Sequence, residues 1–181
     1  MNNPFAFLIS TVFDLYTVIV MLRLLLQLCR ADFFNPVSQF VVKATDPILK
    51  PVRMVLPAVP RLDLAALLVA YLLLALKSML IYWISEGVIY VGLAIWVVAL
   101  RDLLLLAFHV LFWATLARVI LSWISPSGYN PALALLLQIT DFFLKPIQRM
   151  LPAFGGLDFS PLVLLIGLQF LIRVLLSLLP G

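Results

Sequence analysis

Charge is what this chain has least of. Only 11% of its 181 residues are charged, 65% are hydrophobic, and the mean hydropathy is +1.20. A water-soluble domain of this length has a more even balance and needs polar residues to cover its surface. An ordinary soluble globule is therefore excluded. Cysteine is nearly absent. Cys29 stands alone, so no internal disulfide and no cysteine-rich metal site can form, and it reads as a small apolar filler at a helix end. Catalytic signatures are missing too. The sequence has no glycine-rich phosphate loop, no HExxH and no GxSxG. Neither an enzyme nor a cofactor is expected. No basic residue precedes Arg23. The first hydrophobic segment thus lacks the positive start of a cleaved signal peptide and is expected to be retained.

What is present is a set of long apolar runs. Residues 5–22 carry one charge, Asp14, and residues 64–84 carry one, Lys77. Residues 103–123 hold His109 and Arg118, and residues 159–179 hold Arg173. About 20 helical residues, rising about 1.5 Å each, cross the hydrocarbon core of a bilayer. The runs do not alternate polar and apolar, as a membrane β-barrel requires. The expected fold class is all-α, a polytopic helical membrane protein. The net charge of +4 comes from basic residues beside the runs, a topology signal rather than a nucleic-acid site.

One constant shift lays the chain on itself. Arg23 falls on Arg118, Asn35-Pro36 on Asn130-Pro131, and Thr45-Asp46 on Thr140-Asp141. Lys50-Pro51 falls on Lys145-Pro146, Pro57 on Pro152, and Asp63 on Asp158. Matches among leucines would mean little here. Matches among scarce Arg, Asn, Asp, Lys and Pro point to a tandem duplication of a span–polar loop–span unit. The first unit is 1–86, with spans of about 5–29 and 62–84 and a loop at 30–61. The second is 103–181, with spans of about 103–125 and 159–179 and a loop at 126–158. Between them, 87–102 reads as a short apolar connector. Its residues 87–100 are short for a full span and fit a half-helix, a surface helix or the start of a longer one. The expected count is about four full transmembrane helices plus this partial segment.

Each loop carries punctuation with physical meaning. Asn35 caps a helix and Pro36 sits at its first position, where a missing N–H is harmless. Val37, Phe40, Val41 and Ala44 then form one apolar face, as do Ala132, Leu135, Leu136 and Ile139. This predicts a short amphipathic helix at the membrane surface or against the spans. Pro51 after Asp46, and Pro146 after Asp141, lack the N–H that a continuing helix uses. They predict a broken or kinked path, then one more turn or short helix to Pro57 or Pro152. Asp63 and Asp158 are expected to cap the following spans, with Ser160 competing for the second. The loops are basic, with Lys50 and Arg53 in one and Lys145 and Arg149 in the other. The positive-inside rule places both in the cytoplasm. The basic groups serve as topology signal and headgroup contacts, or as a face for a partner or ligand.

Charge inside a membrane needs a partner or a water path. Asp14 and Lys77 lie at matching depth from the loop and are expected to pair. The corresponding positions of the second unit are His109 and Ile172, so the units are not interchangeable. His109 reads as a structural histidine, with a proton-responsive or metal-ligand role as alternatives. Arg23 and Arg118 snorkel to the interface, or lock their own loops through backbone carbonyls, Asp46 or Asp141.

The stretches FFNPVSQFVVKATDPILKPVRMVLPAVPRLD and YNPALALLLQITDFFLKPIQRMLPAFGGLD carry a resemblance to the YggT family of bacterial inner-membrane proteins and its chloroplast relatives of the CCB type. The family pattern picks out Arg23, Asn35, Pro36, Thr45, Pro47, Pro51, Arg53 and Pro57. In the second unit it picks Arg118, Asn130, Pro131, Thr140, Pro146, Arg149 and Pro152, with Phe142 in place of a proline and the arginine one place late, after Gln148. The resemblance implies a multi-pass protein of the bacterial inner membrane, with links to osmotic-stress tolerance and ion balance. Plastid relatives resemble assembly factors for haem attachment, which the lone Cys29 does not suit. The function this implies is a non-catalytic scaffold or assembly factor, binding lipid bilayer and a membrane-protein partner or its own copies. An ion or small-solute transport component acting as an oligomer is the alternative.

Overall fold

In the computed structural model, which describes residues 3–57, 59–124, 130–151 and 158–179, apolar and amphipathic helices alternate in a fixed rhythm. They are α1 Pro4–Leu28, α2 Pro36–Arg53, α3 Leu64–Glu86, α4 Leu93–Ile124, α5 Pro131–Met150 and α6 Ser160–Leu178. Four of them, α1, α3, α4 and α6, are long and apolar enough to cross a membrane. The order long–amphipathic–long occurs twice. The chain is an all-α, multi-pass membrane protein.

The spans form because nothing interrupts them and because lipid forces backbone groups to bond within the helix. The hydroxyls that fall inside follow the same rule. Buried Thr17 and Thr115 donate to carbonyls one turn back, Phe13 O at 2.6 Å and Leu111 O at 2.8 Å. α1 packs most closely on α3, where Ala65, Ala66, Ala70 and Ala75 are buried. Small side chains let two backbones approach and gain dispersion contact where no hydrophobic force operates. α1 ends in a Schellman motif, with Ala31 N bonded to Leu26 O at 2.9 Å and Arg30 N to Gln27 O at 3.2 Å. The left-handed residue of that motif is Arg30, at φ 54, where glycine is usual.

Two expectations are corrected. The amphipathic segments are continuous, not broken: α2 runs through Pro47 and Pro51, and α5 through Pro146. These prolines are exposed, and Pro47 and Pro51 lie opposite the buried stripe Ser38, Val41, Thr45 and Leu49. The carbonyls that lose their bonds therefore face outward, while the packed side keeps the helix continuous. Second, 87–102 does not stay a separate connector: of the readings left open for it, the start of a longer helix is the one found. Residues 87–92 make the link, and from Leu93 the chain enters α4 with no proline or glycine before Ile124. α4 is about 48 Å long at about 1.5 Å per residue. Its first turns run past the end of α6, where Arg101 Nη1 donates to Leu179 O at 3.2 Å.

Both amphipathic helices sit at one end of the bundle, after α1 and α4 and before α3 and α6. α2 lies against α1, where Tyr16 Oη donates to Ala44 O at 3.2 Å. The α2–α3 link closes at a Val59–Leu62 bridge, with Arg61 left-handed at φ 75. α2 also touches α5, so the two elbows form one platform.

Candidate functional site

The first elbow is built around a buried cation. Arg23 lies on α1 with its side chain 8% exposed, and its Nη2 is 3.5 Å from Asp46 Oδ1. Lys50 Nζ reaches the other oxygen of Asp46 at 3.2 Å. One turn further on, Arg53 pairs with Asp63. The second oxygen of Asp63 accepts from Ala66 N at 3.1 Å and so caps α3. Thr45, fully buried, donates to Val41 O at 2.7 Å. Asn35 caps α2 by accepting from Val37 N at 2.9 Å. Arg23 thus locks its own loop. Its Nε and Nη1 are buried without a hydrogen-bond partner among the described residues.

The second elbow repeats this geometry with one substitution. Arg118 pairs with Asp141, and its Nη1 also donates to Thr140 Oγ1 at 2.9 Å. Lys145 Nζ lies 3.8 Å from Asp141 Oδ2. Thr140 donates to Leu136 O at 2.8 Å, and Asn130 caps α5 through Ala132 N at 2.9 Å. Where Arg53 pairs with Asp63, Gln148 Nε2 donates to Asp158 Oδ2 at 2.8 Å. Asp158 also accepts from Ser160 N at 2.9 Å at the start of α6. Burial pushes the Asp158 carboxyl up, but hydrogen bonding from Ser160 and Gln148 and the Arg118 charge outweigh it, so it titrates below the ordinary aspartate value. Arg149 is left exposed.

Among the described residues, three polar contacts join the elbows. Asn35 Nδ2 donates to Pro131 O at 2.7 Å, and Gln138 Oε1 accepts from Asp32 N at 2.8 Å. Cys29 Sγ lies 3.7 Å from Ile139 O. Burial pushes the Cys29 thiol up to about 11.

Deeper in the bundle, Lys77 Nζ is 2.8 Å from Asp14 Oδ1 and 3.8 Å from Asp102 Oδ2. Arg101 Nη2 holds the other oxygen of Asp102 at 2.9 Å. Asp14–Lys77–Asp102–Arg101 is a chain of alternating charge that sums to zero, and its last member caps the carbonyl end of α6. His109 stays outside this chain, exposed, with Nδ1 2.7 Å from Leu105 O of its own helix. Among the described residues no three His, Cys, Asp or Glu side chains gather as a metal site.

The sequence model of the CCB3/YggT family matches residues 2–84 and again residues 97–179. The chain belongs to the CCB3/YggT family. It is 47% identical over 169 residues to a Vibrio alginolyticus protein named for the proC 3' region, covering 93% of this chain and 91% of that one. It is 43% identical over 164 residues to Escherichia coli YggT, covering 91% and 85%. A Pseudomonas aeruginosa protein is 39% identical over 175 residues, covering 94% and 87%. No solved structure matches the chain.

In this YggT-family chain the residues singled out by sequence separate into three groups. Arg23, Asp46, Lys50 and Arg53 come together with Asp63, and Arg118, Thr140, Asp141 and Lys145 come together likewise. Asp14 and Lys77 meet in the span layer. Pro36, Pro51 and Pro146 shape helices, Pro131 does so and lends its carbonyl to Asn35, Pro57 lines the turn into α3, and Pro152 lies outside the described residues. Arg101, Asp102 and Gln138 were missed. The first two fall in the stretch taken for a connector. Gln138 faces Lys43 under the repeat, a mismatch that could have marked it.

Proposed function

We propose that this chain is a non-catalytic protein of the bacterial inner membrane, a scaffold or assembly factor for other membrane proteins, with its two elbows in the cytoplasm and a role in osmotic-stress tolerance. The observation that carries this reading is the platform formed by α2 and α5. Its charges are fixed against one another rather than arranged along a path. Between them it presents exposed apolar side chains, Val37, Phe40 and Ile48 from α2 and Leu137, Phe142 and Met150 from α5. Exposed apolar groups rimmed by charge suit a protein partner, or a second copy of the chain.

A tandem duplication underlies the platform in this reading. Two supports favour it: the arginine–aspartate–lysine geometry recurs in both elbows, and the family model matches twice. The alternative, ion or small-solute transport by an oligomer, takes its support from Lys77 held between two carboxylates within the spans.

Capture of partners from native membranes, paired with survival after a salt downshock, tests the proposal. Wild type should co-purify with a defined membrane protein, and Phe40→Glu and Phe142→Glu should lose that partner and the survival advantage together. Potassium or sodium flux through the pure protein in liposomes, with no partner captured, would overturn the scaffold reading in favour of transport.

A further inference from the structure

The second elbow departs from the first in where its last cation points. Asp141, Lys145 and Arg149 recur every fourth residue along one face of α5. With Phe142, Pro146 and Cys29 they line an open groove of 390 Å³ between the end of α1 and α5. That lies within the about 300–1,000 Å³ typical of small-ligand sites. Its charges do not cancel. Asp141 is already paired with Arg118, Lys145 is 65% exposed at 3.8 Å from Asp141, and Arg149 makes no ion pair among the described residues. The rest of the lining includes an aromatic ring, a proline and a neutral thiol.

The first elbow lacks the equipment for such a site. Under the repeat, Met54 stands where Arg149 does and Pro47 where Phe142 does. Arg53, the arginine of that elbow, is committed to Asp63. Because Gln148 does the corresponding work on Asp158, the arginine displaced to 149 is released to face the groove.

We propose that this groove binds an anionic phospholipid of the surrounding membrane, with Lys145 and Arg149 holding the phosphate and Phe142 and Pro146 lying against the glycerol and upper acyl chain. The guanidinium fork matches two phosphate oxygens, and the ammonium adds a point charge beside it. The groove opens at the elbow end of the spans, where lipid headgroups lie. Its apolar side gives a lipid contacts that a free phosphate ion cannot make. The groove shares Phe142 with the face proposed for a partner, so its test rests on Lys145 and Arg149, which the scaffold test leaves intact.

Native mass spectrometry of the full chain, released from detergent containing equal phosphatidylglycerol and phosphatidylcholine, reads the preference directly. Wild type should retain phosphatidylglycerol preferentially. Arg149→Ala and Lys145→Gln should each cut that preference about fivefold, as loss of one basic group at a membrane surface does. Arg149→Lys should keep most of it, and Lys50→Gln, in the first elbow, should leave it unchanged. The two cations are exposed, and an unchanged helical circular dichroism spectrum verifies each variant's fold. Equal retention of both lipids by wild type, or wild-type preference in the Lys145→Gln/Arg149→Ala double variant, would overturn the proposal. Loss of the lipid to millimolar inorganic phosphate would assign the site to a free anion instead.

Discussion

Lys77 Nζ lies 2.8 Å from Asp14 Oδ1, about 20 Å from the elbow end of both helices at about 1.5 Å per residue. The contact joins α1 to α3, and the 3.8 Å approach of Asp102 to the same nitrogen extends it to α4. The side chains differ in exposure, 13% for Lys77 and 50% for Asp14. The lysine is therefore the keystone. Lys77→Met leaves Asp14 without a cation among the described residues and should lower stability by about 2 kcal/mol, the figure for a buried pair reduced because Asp14 is half exposed. Asp14→Asn leaves Lys77 with Asp102 and should cost about 1 kcal/mol. Thermal unfolding in mild detergent ranks the two, and equal losses would contradict the arrangement.

Asn35 and Asn130 each stand just before an amphipathic helix, yet they should respond unequally to truncation. Each caps its helix. Asn35 is buried and also donates to Pro131 O at 2.7 Å, tying the two elbows together. Asn130→Ala should cost about 1 kcal/mol, the loss of a cap. Asn35→Ala should cost about 2 kcal/mol, because it also leaves a carbonyl at the α2–α5 contact without its partner. Hydrogen exchange offers a second check, since only Asn35→Ala should loosen the start of both amphipathic helices.

The sequence exposed those features in which scarce residues repeat. Arg23, Asp46 and Lys50 stand out in an oily chain, and the matching Arg118, Asp141 and Lys145 make the two elbows readable in the sequence. The depth match of Asp14 and Lys77 was legible for the same reason. Local rules failed where packing decided. Proline rules interrupted α2 at Pro51, but it lies on the outward face with Pro47, and the buried stripe from Ser38 to Leu49 carries the helix on. Arg101 and Asp102 lie in the stretch that reads as a connector, so the sequence points to no partner for them. Within α4 the two residues satisfy each other, Lys77 and the end of α6. The contacts of Gln138 and Cys29 with the other elbow depend on how the halves dock, which no local pattern encodes.

The lone thiol should be slow to react. Burial raises Cys29 to about 11, so its thiolate fraction near pH 8 is about two orders of magnitude below that of an ordinary cysteine. Iodoacetamide should label it correspondingly slowly in the folded protein, with a rate that keeps climbing as the pH passes about 10. Unfolding in dodecyl sulfate should restore ordinary labelling. Rapid labelling of the folded chain at neutral pH would show that the end of α1 is not packed on α5.

Exchanging the two loop partners tests how far the elbows are equivalent. Asp63 is 4% exposed and Asp158 is exposed. Arg53→Gln replaces an ion pair beside a buried carboxylate and should cost about 2 kcal/mol. Gln148→Arg adds an ion pair at a wet position and should change stability by less than about 1 kcal/mol. Asp158 titrates below the ordinary aspartate value in the folded chain. Its contribution is complete at and above the ordinary aspartate range and is lost as pH falls through the lowered value. Protection of the Ser160 amide, which Asp158 accepts at 2.9 Å, should therefore hold on acidification through the ordinary aspartate range and collapse below it. Asp158→Asn should remove that pH dependence. A Ser160 amide whose protection falls with the ordinary aspartate titration would mean that Gln148, Ser160 and Arg118 do not hold the carboxylate as the geometry requires.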